Sequence, residues 1–207
     1  MRISQVLLTL LTLIPLLAFG QTNLQPLYVF VGEKISVEEF EPEVEEGKIL
    51  MDLAFRAKYK VLENFFAKVP ADTIEFIAYD HYGIPSFSHN KYVLLYLTRV
   101  DTQFYHCKYM YSSLYKTKEG EWAGMYSSKD YEHPYNQKTT IKPVKINWMD
   151  PVAVDISQLN KDLQKTYFPK KYFRIENDTA TAIYGNYIPE LFELKKNGFL
   201  KARGYFD

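Results

Sequence analysis

The chain has 207 residues with 25 basic and 25 acidic side chains, a formal net charge of zero, and this balance argues against a dedicated nucleic-acid binder, which carries a strongly basic face. Its single cysteine, Cys107, excludes a disulfide within the monomer and a CxxC zinc clip. A chain of this length can bury a sizeable core, so disulfides are not obligatory.

The first twenty residues have the pattern of a cleavable export signal. Arg2 stands beside the free amino group, an apolar stretch runs from Val6 to Phe19, and Ala18-Phe19-Gly20 places small residues where a signal peptidase reads. The apolar stretch is shorter than the ~20 residues a membrane span needs, and Pro15 interrupts it. The expectation is cleavage before Gln21 and a mature protein in the periplasm or outside the cell, with no membrane span. Removing residues 1–20 takes away Arg2 and no acid, so 24 basic side chains face 25 acidic ones, a net charge of −1. No cysteine sits at the cleavage point to carry a lipid.

Glu38 to Glu46 holds six glutamates in nine residues and reads as a solvated helix end or loop, as such charge runs usually do. The first regular element follows. Phe55, Ala57, Tyr59 and Val61 alternate with Arg56, Lys58 and Lys60, the period of a strand with one buried and one wet face. Thr73 to Tyr79 reads as a second strand, entered through Pro70-Ala71-Asp72 and closed by Tyr82-Gly83-Ile84-Pro85. Tyr92 to Leu97 is a continuous apolar run, as for a strand buried on both faces. These three are expected to be antiparallel neighbours. Phe104 to Tyr115 is dense in tyrosine, a residue favoured on pleated surfaces, and Glu119-Gly120 supplies a hairpin turn before Trp122.

Residues 130–143 carry two prolines and little periodicity, the mark of a long loop. Two short apolar segments follow, Val144 to Trp148 and Val152 to Ile156. Ser157 is placed to cap a short helix reaching about Thr166. Asn177-Asp178 suits a hairpin turn between Tyr172 to Ile175 and Thr179 to Tyr184. Pro189 opens a last helix, and Gly198 is placed to stop it. Asn177-Asp178-Thr179 is also a glycosylation sequon, which matters only in a host that glycosylates.

Two adjacencies suggest chemistry. Asp80-His81 resembles part of a general base or metal site, and His106-Cys107 resembles a nucleophile with its base. Adjacent strand residues point to opposite faces, so neither pair shares a substrate without a bend. No HExxH, GxSxG or phosphate-binding glycine loop occurs, so no catalytic, metal or cofactor residue is assigned. Cys107 is expected to be a small buried hydrophobe.

The 18 tyrosines are the compositional feature most open to function, because the ring suits wet interfaces and the hydroxyl seeks a partner. Trp122, Tyr126, Tyr131 and Tyr135 fall around the long loop and are the candidate ligand-binding residues, for a protein, peptide or glycan. The alternative is that they clamp the loop onto the body of the domain.

The stretch Asp52 to Glu63, then Asp72 to Phe76, then Lys91 to Leu97 resembles the opening strands of netrin-like, metalloproteinase-inhibitor-like domains, which are built on an OB-type barrel. That resemblance implies a barrel fold. The inhibitory mechanism of the family uses an N-terminal cysteine, and here the corresponding mature residue is Gln21, so the mechanism does not carry over. The chain as a whole looks like exported bacterial proteins.

The resulting expectation is a mainly β fold, α+β overall. Residues 21–142 form an OB-like antiparallel barrel with the loop 130–143, and residues 143–207 form a smaller α+β segment packed on it. The expected function is a non-catalytic exported binding or interaction module. The alternatives are an extracytoplasmic hydrolase or redox enzyme using Asp80, His81 or His106, and a structural envelope component.

Overall fold

The computed structural model describes residues 26–43, 47 and 50–206; the expected export signal and Gln21 lie outside them. The fold is mainly β. Five strands come first: β1 (Leu27–Phe40), β2 (Leu53–Phe66), β3 (Thr73–Asp80), β4 (Tyr92–Val100) and β5 (Gln103–Ser113). They form a ring in the order β1-β2-β3-β5-β4, with β4 returning to β1. Every one of these strands therefore has a partner on each side, which leaves the ring without a full-length exposed edge.

Alternation explains how the ring fills. Phe55, Ala57 and Tyr59 of β2 are buried while Arg56, Lys58 and Lys60 face water. Val61 is partly buried against the same cluster. Phe30, Ile74, Phe76, Val93, Leu95 and Leu97 complete this inner core, together with Phe87 from a 3-10 turn at Ser86–His89. The other face of β4, Leu94 and Tyr96, packs with Val29, Val31, Cys107 and Met110 against a C-terminal helix. The continuous apolar run of β4 thus serves two cores, as expected of a strand buried on both faces.

Two expectations about the ring require correction. First, β3 and β4 are not neighbours. β5 lies between them, antiparallel to β4 and parallel to β3, so the sheet is not purely antiparallel. Second, Glu38 and Glu39 are strand, not helix end or loop: they close β1 and pair with Arg56 and Phe55. Glu45 and Glu46, at the end of the acidic run, lie outside the described residues. The register of β1 against β2 shifts three times, yet its first residues keep the strand period. Val29 and Val31 face the outer core and Phe30 the inner one, so this stretch is buried on both faces and shows an apolar run instead of an apolar–polar alternation.

Beyond the ring, β6 (Tyr115–Lys116) and β7 (Trp122–Met125) form the expected hairpin, with Gly120 at φ +84°. A one-turn helix α1 (Ser128–Tyr131) and a 3-10 turn (Pro134–Asn136) interrupt the start of the segment expected to be a loop, and the rest of it, residues 137–143, is irregular. β8 (Val144–Lys145) and β9 (Ala153–Asp155) follow. Helix α2 (Lys161–Tyr167) starts later than expected, because Asn160 is the cap: its side-chain oxygen accepts from the amides of Asp162 and Leu163. β10 (Phe173–Glu176) and β11 (Thr179–Ala182) make the Asn177-Asp178 hairpin, with both turn residues at positive φ. β12 (Tyr184–Tyr187) leads into α3 (Ile188–Lys195), which has Pro189 in its first turn. Gly198 does not stop it. The chain continues through a π-helical turn at Lys196–Leu200, and the left-handed residue is Gly204, at φ +76°.

The later strands build two small sheets, β6-β7-β12-β8 and β10-β11-β9. The first joins strands on either side of residue 143. Helix α3 lies between it and the ring, with Leu191 and Phe192 buried in the outer core.

Candidate functional site

A concavity lies where the ring meets the C-terminal sheets. It encloses about 900 Å³, within the range of small-ligand clefts. One wall is the consecutive stretch Tyr109 to Ser113 of β5, and the opposite wall is Met125 to Asp130, from the end of β7 into α1. Asp80, Tyr82 and Ile84 approach from the end of β3, while Leu191, Lys195 and Phe199 approach from α3 and its extension.

Lys195 and Asp130 are joined in a pair deep in this cleft. The ammonium stands 2.6 Å from the carboxylate, with the two side chains 9% and 3% exposed. Asn136 holds the surroundings in place, donating from its amide to the carbonyls of Asp130 and Leu194. The buried phenol of Tyr96 has no hydrogen-bond partner among the described residues. Burial first, and then the charge of Asp130, push its pKa well above the usual range.

The rim is aromatic. Tyr82 is 87% exposed and Tyr109 44%, with ring centroids 6.2 Å apart, and Ile84 is exposed beside them. Tyr109 reaches the rim because β5 bulges. Leu97 pairs with His106 while Leu95 pairs with Tyr111, so extra residues loop out between them, with Tyr109 at φ +66°.

The sequence candidates are dispersed. Tyr126 lines the cleft, stacked on Tyr172 at 4.2 Å and on Tyr131 at 5.1 Å. Burial raises the pKa of Tyr126 to about 12. Tyr131 donates to Asn186, and Trp122 packs beside Tyr92 with the Lys116 ammonium 3.7 Å over its ring. Tyr135 is exposed next to His133. These four do not form one surface, and only Tyr126 reaches the cleft.

Asp80 and His81 diverge as strand alternation requires. Asp80 accepts from the amide of Tyr82, while His81 sits outside, 3.4 Å from Asp52. His106 points into the inner core against Phe87, with ring centroids 4.5 Å apart, and its Nε2 lies 2.9 Å from the Met110 carbonyl. Burial lowers its pKa to about 4. Cys107 points to the outer core, buried, and burial raises its thiol to about 11. No group of three His, Cys, Asp or Glu side chains converges as metal ligands among the described residues, and no helix among them is long and apolar enough to cross a membrane.

Sequence reasoning missed Tyr82, Tyr109 and the Lys195–Asp130 pair. Tyr82 had a faint signal, a large aromatic in a Gly-Ile-Pro turn. Lys195 and Asp130 stand 65 residues apart with no pattern to join them. No protein-family model matches the chain, and no match was found among curated proteins or solved structures.

Proposed function

We propose that this protein is an exported, non-catalytic binding module that takes its ligand in the cleft between the ring and the C-terminal sheets. The observation that carries this reading is the combination of a 900 Å³ cleft with an exposed aromatic rim at Tyr82 and Tyr109. Exposed rings at the mouth of a concavity offer contact area at little entropic cost. The ionisable pair inside is already satisfied by itself, and the histidine and cysteine candidates lie in two separate cores, which supports binding over chemistry. The export signal pattern of residues 1–20 supports a ligand met outside the cytoplasm. An OB-like reading of the ring is supported by its five strands and closed order, and the netrin-like resemblance belongs to the same proposal.

The test is recovery of ligand from the native compartment, using purified mature protein as bait beside a Tyr82→Ser/Tyr109→Ser variant. Both side chains are exposed, so the variant is expected to fold. A species retained by the wild type and lost by the variant supports the reading. Equal retention by both places binding elsewhere.

A further inference from the structure

The cleft is an unzipped β-ladder. In the β6–β7 hairpin, Lys116 pairs with Trp122 and Tyr115 with Ala123. Continued in the same register, the ladder would set Ser113 opposite Met125 and Tyr111 opposite Ser127. It stops instead, because β5 turns to pair with β4 and β7 turns to pair with β12. At the apex, a Cβ added to Gly124 would stand 3.0 Å from the Ser113 carbonyl oxygen. From there the two chains diverge, and the space between them is lined by Tyr109 to Ser113 on one side and Met125 to Asp130 on the other.

Backbone polarity follows from the ladders that do exist. Leu114 donates to the Tyr92 carbonyl at 3.0 Å. Bonding in an antiparallel pair alternates residue by residue, so Ser112 and Leu114 turn their backbone groups toward β4. Tyr111 and Ser113 turn theirs the opposite way, where β3 no longer runs alongside: its pairing with β5 is at Ile77 and Tyr105. On the other wall Tyr126 donates to the Tyr184 carbonyl, so Met125 presents its backbone groups to the same opening. An edge of this kind is a template for an added strand.

The charges around the opening indicate what the strand carries. Lys129, Lys195 and Arg203 line it against Asp80 and Asp130. Lys195 and Asp130 neutralise each other. Lys129 lies over the Tyr167 ring and Arg203 donates to a backbone carbonyl, and neither forms an ion pair with a carboxylate among the described residues. We propose that the cleft receives an extended peptide bearing a carboxylate, which adds as a strand to the Tyr111–Ser113 edge of β5. This rests on the cleft being the ligand site and specifies its occupant. Main-chain bonds to Tyr111 and Ser113 hold the peptide, Tyr82 and Tyr109 cover its side chains, and Lys129 or Arg203 meets its carboxylate.

The experiment pans phage-displayed random heptapeptides on the mature protein, then resynthesises the best binder with alternate amides N-methylated. Amide hydrogen exchange is followed on the protein, with chitohexaose and maltohexaose as separate arms. The expected result is enrichment of Asp and Glu, slowed exchange at Tyr111 and Ser113, and about tenfold or greater loss of affinity on N-methylation. Lys129→Glu/Arg203→Glu should weaken the same peptide. Failure to retain any heptapeptide, or tolerance of N-methylation in both registers, overturns the strand proposal. If an oligosaccharide then slows exchange in the cleft, the binding-module reading survives and the peptide falls. If neither ligand class protects the cleft, both fall.

Discussion

The Lys195 ammonium and the Asp130 carboxylate meet at 2.6 Å, with both side chains at least nine-tenths buried. The pair ties α1 to the end of α3 across the cleft. Breaking a buried pair from one side leaves a charge without compensation, at a cost of about 3–5 kcal/mol. Lys195→Met or Asp130→Leu alone is therefore expected to destabilise the protein by about that amount in urea unfolding. The double variant should recover most of the loss, because two apolar side chains leave no buried charge behind. Additive losses in the double variant would show that the two residues do not act as a pair.

His106 gives the protein a pH dependence of known sign. Its folded pKa is about 4, below the ordinary value near 6.5. Between those values the unfolded chain binds a proton that the folded ring refuses, so stability falls as pH drops from about 6.5 toward 4. The ring is not completely shielded from solvent, so the expected loss is about 1–2 kcal/mol from pH 7 to pH 5. Unfolding midpoints at the two pH values test this, and His106→Phe should remove this component. A fall of equal size in the variant would assign it to other groups.

Cys107 is expected to be chemically quiet. With its pKa raised to about 11, the native thiol stays protonated through neutral pH, and burial excludes reagents. The same shift lowers stability as pH rises from about 9 toward 11, because the unfolded chain ionises first. Native protein should label slowly with a thiol reagent at pH 8 and rapidly in denaturant. Rapid labelling without denaturant would contradict the burial.

Gly185 is a fixed point of the C-terminal sheet. A Cβ there would stand 2.1 Å from the Gly124 carbonyl oxygen, a backbone atom that cannot rotate away. Gly185→Ala should cost about 1–3 kcal/mol or more through forced backbone movement and should loosen the pairing of β7 with β12. Exchange at the Tyr126 amide, which bonds to the Tyr184 carbonyl, should rise in that variant ahead of exchange in the ring.

What could be read in the sequence follows physical range. The period of two in β2 and the apolar run of β4 are local signals, and both strands lie where those signals put them. The Asn177-Asp178 turn is equally local. β1 gave no apolar–polar alternation because its first residues are buried on both faces, Val29 and Val31 in the outer core and Phe30 in the inner one. The insertion of β5 beside β3 depends on a single parallel pairing, Ile77 with Tyr105, and sequence alternation carries no information on strand order. The cleft depended on two events far apart, the divergence of β5 from β7 and the return of Lys195 to Asp130. Trp122, Tyr131 and Tyr135 drew attention by composition, yet the structure uses Tyr131 and Trp122 in packing and leaves Tyr135 apart from the cleft.

The central claim, that ligand enters through the aromatic rim, is tested most directly by photo-crosslinking in the native compartment. A photoreactive phenylalanine analogue replaces Tyr82 in one variant, Tyr109 in a second and Ile35 in a third. Ile35 is also exposed, at 53%, but belongs to β1, away from the cleft lining. The account predicts the same adduct from positions 82 and 109 and none from position 35. Adducts from position 35 with none from 82 or 109 would contradict it.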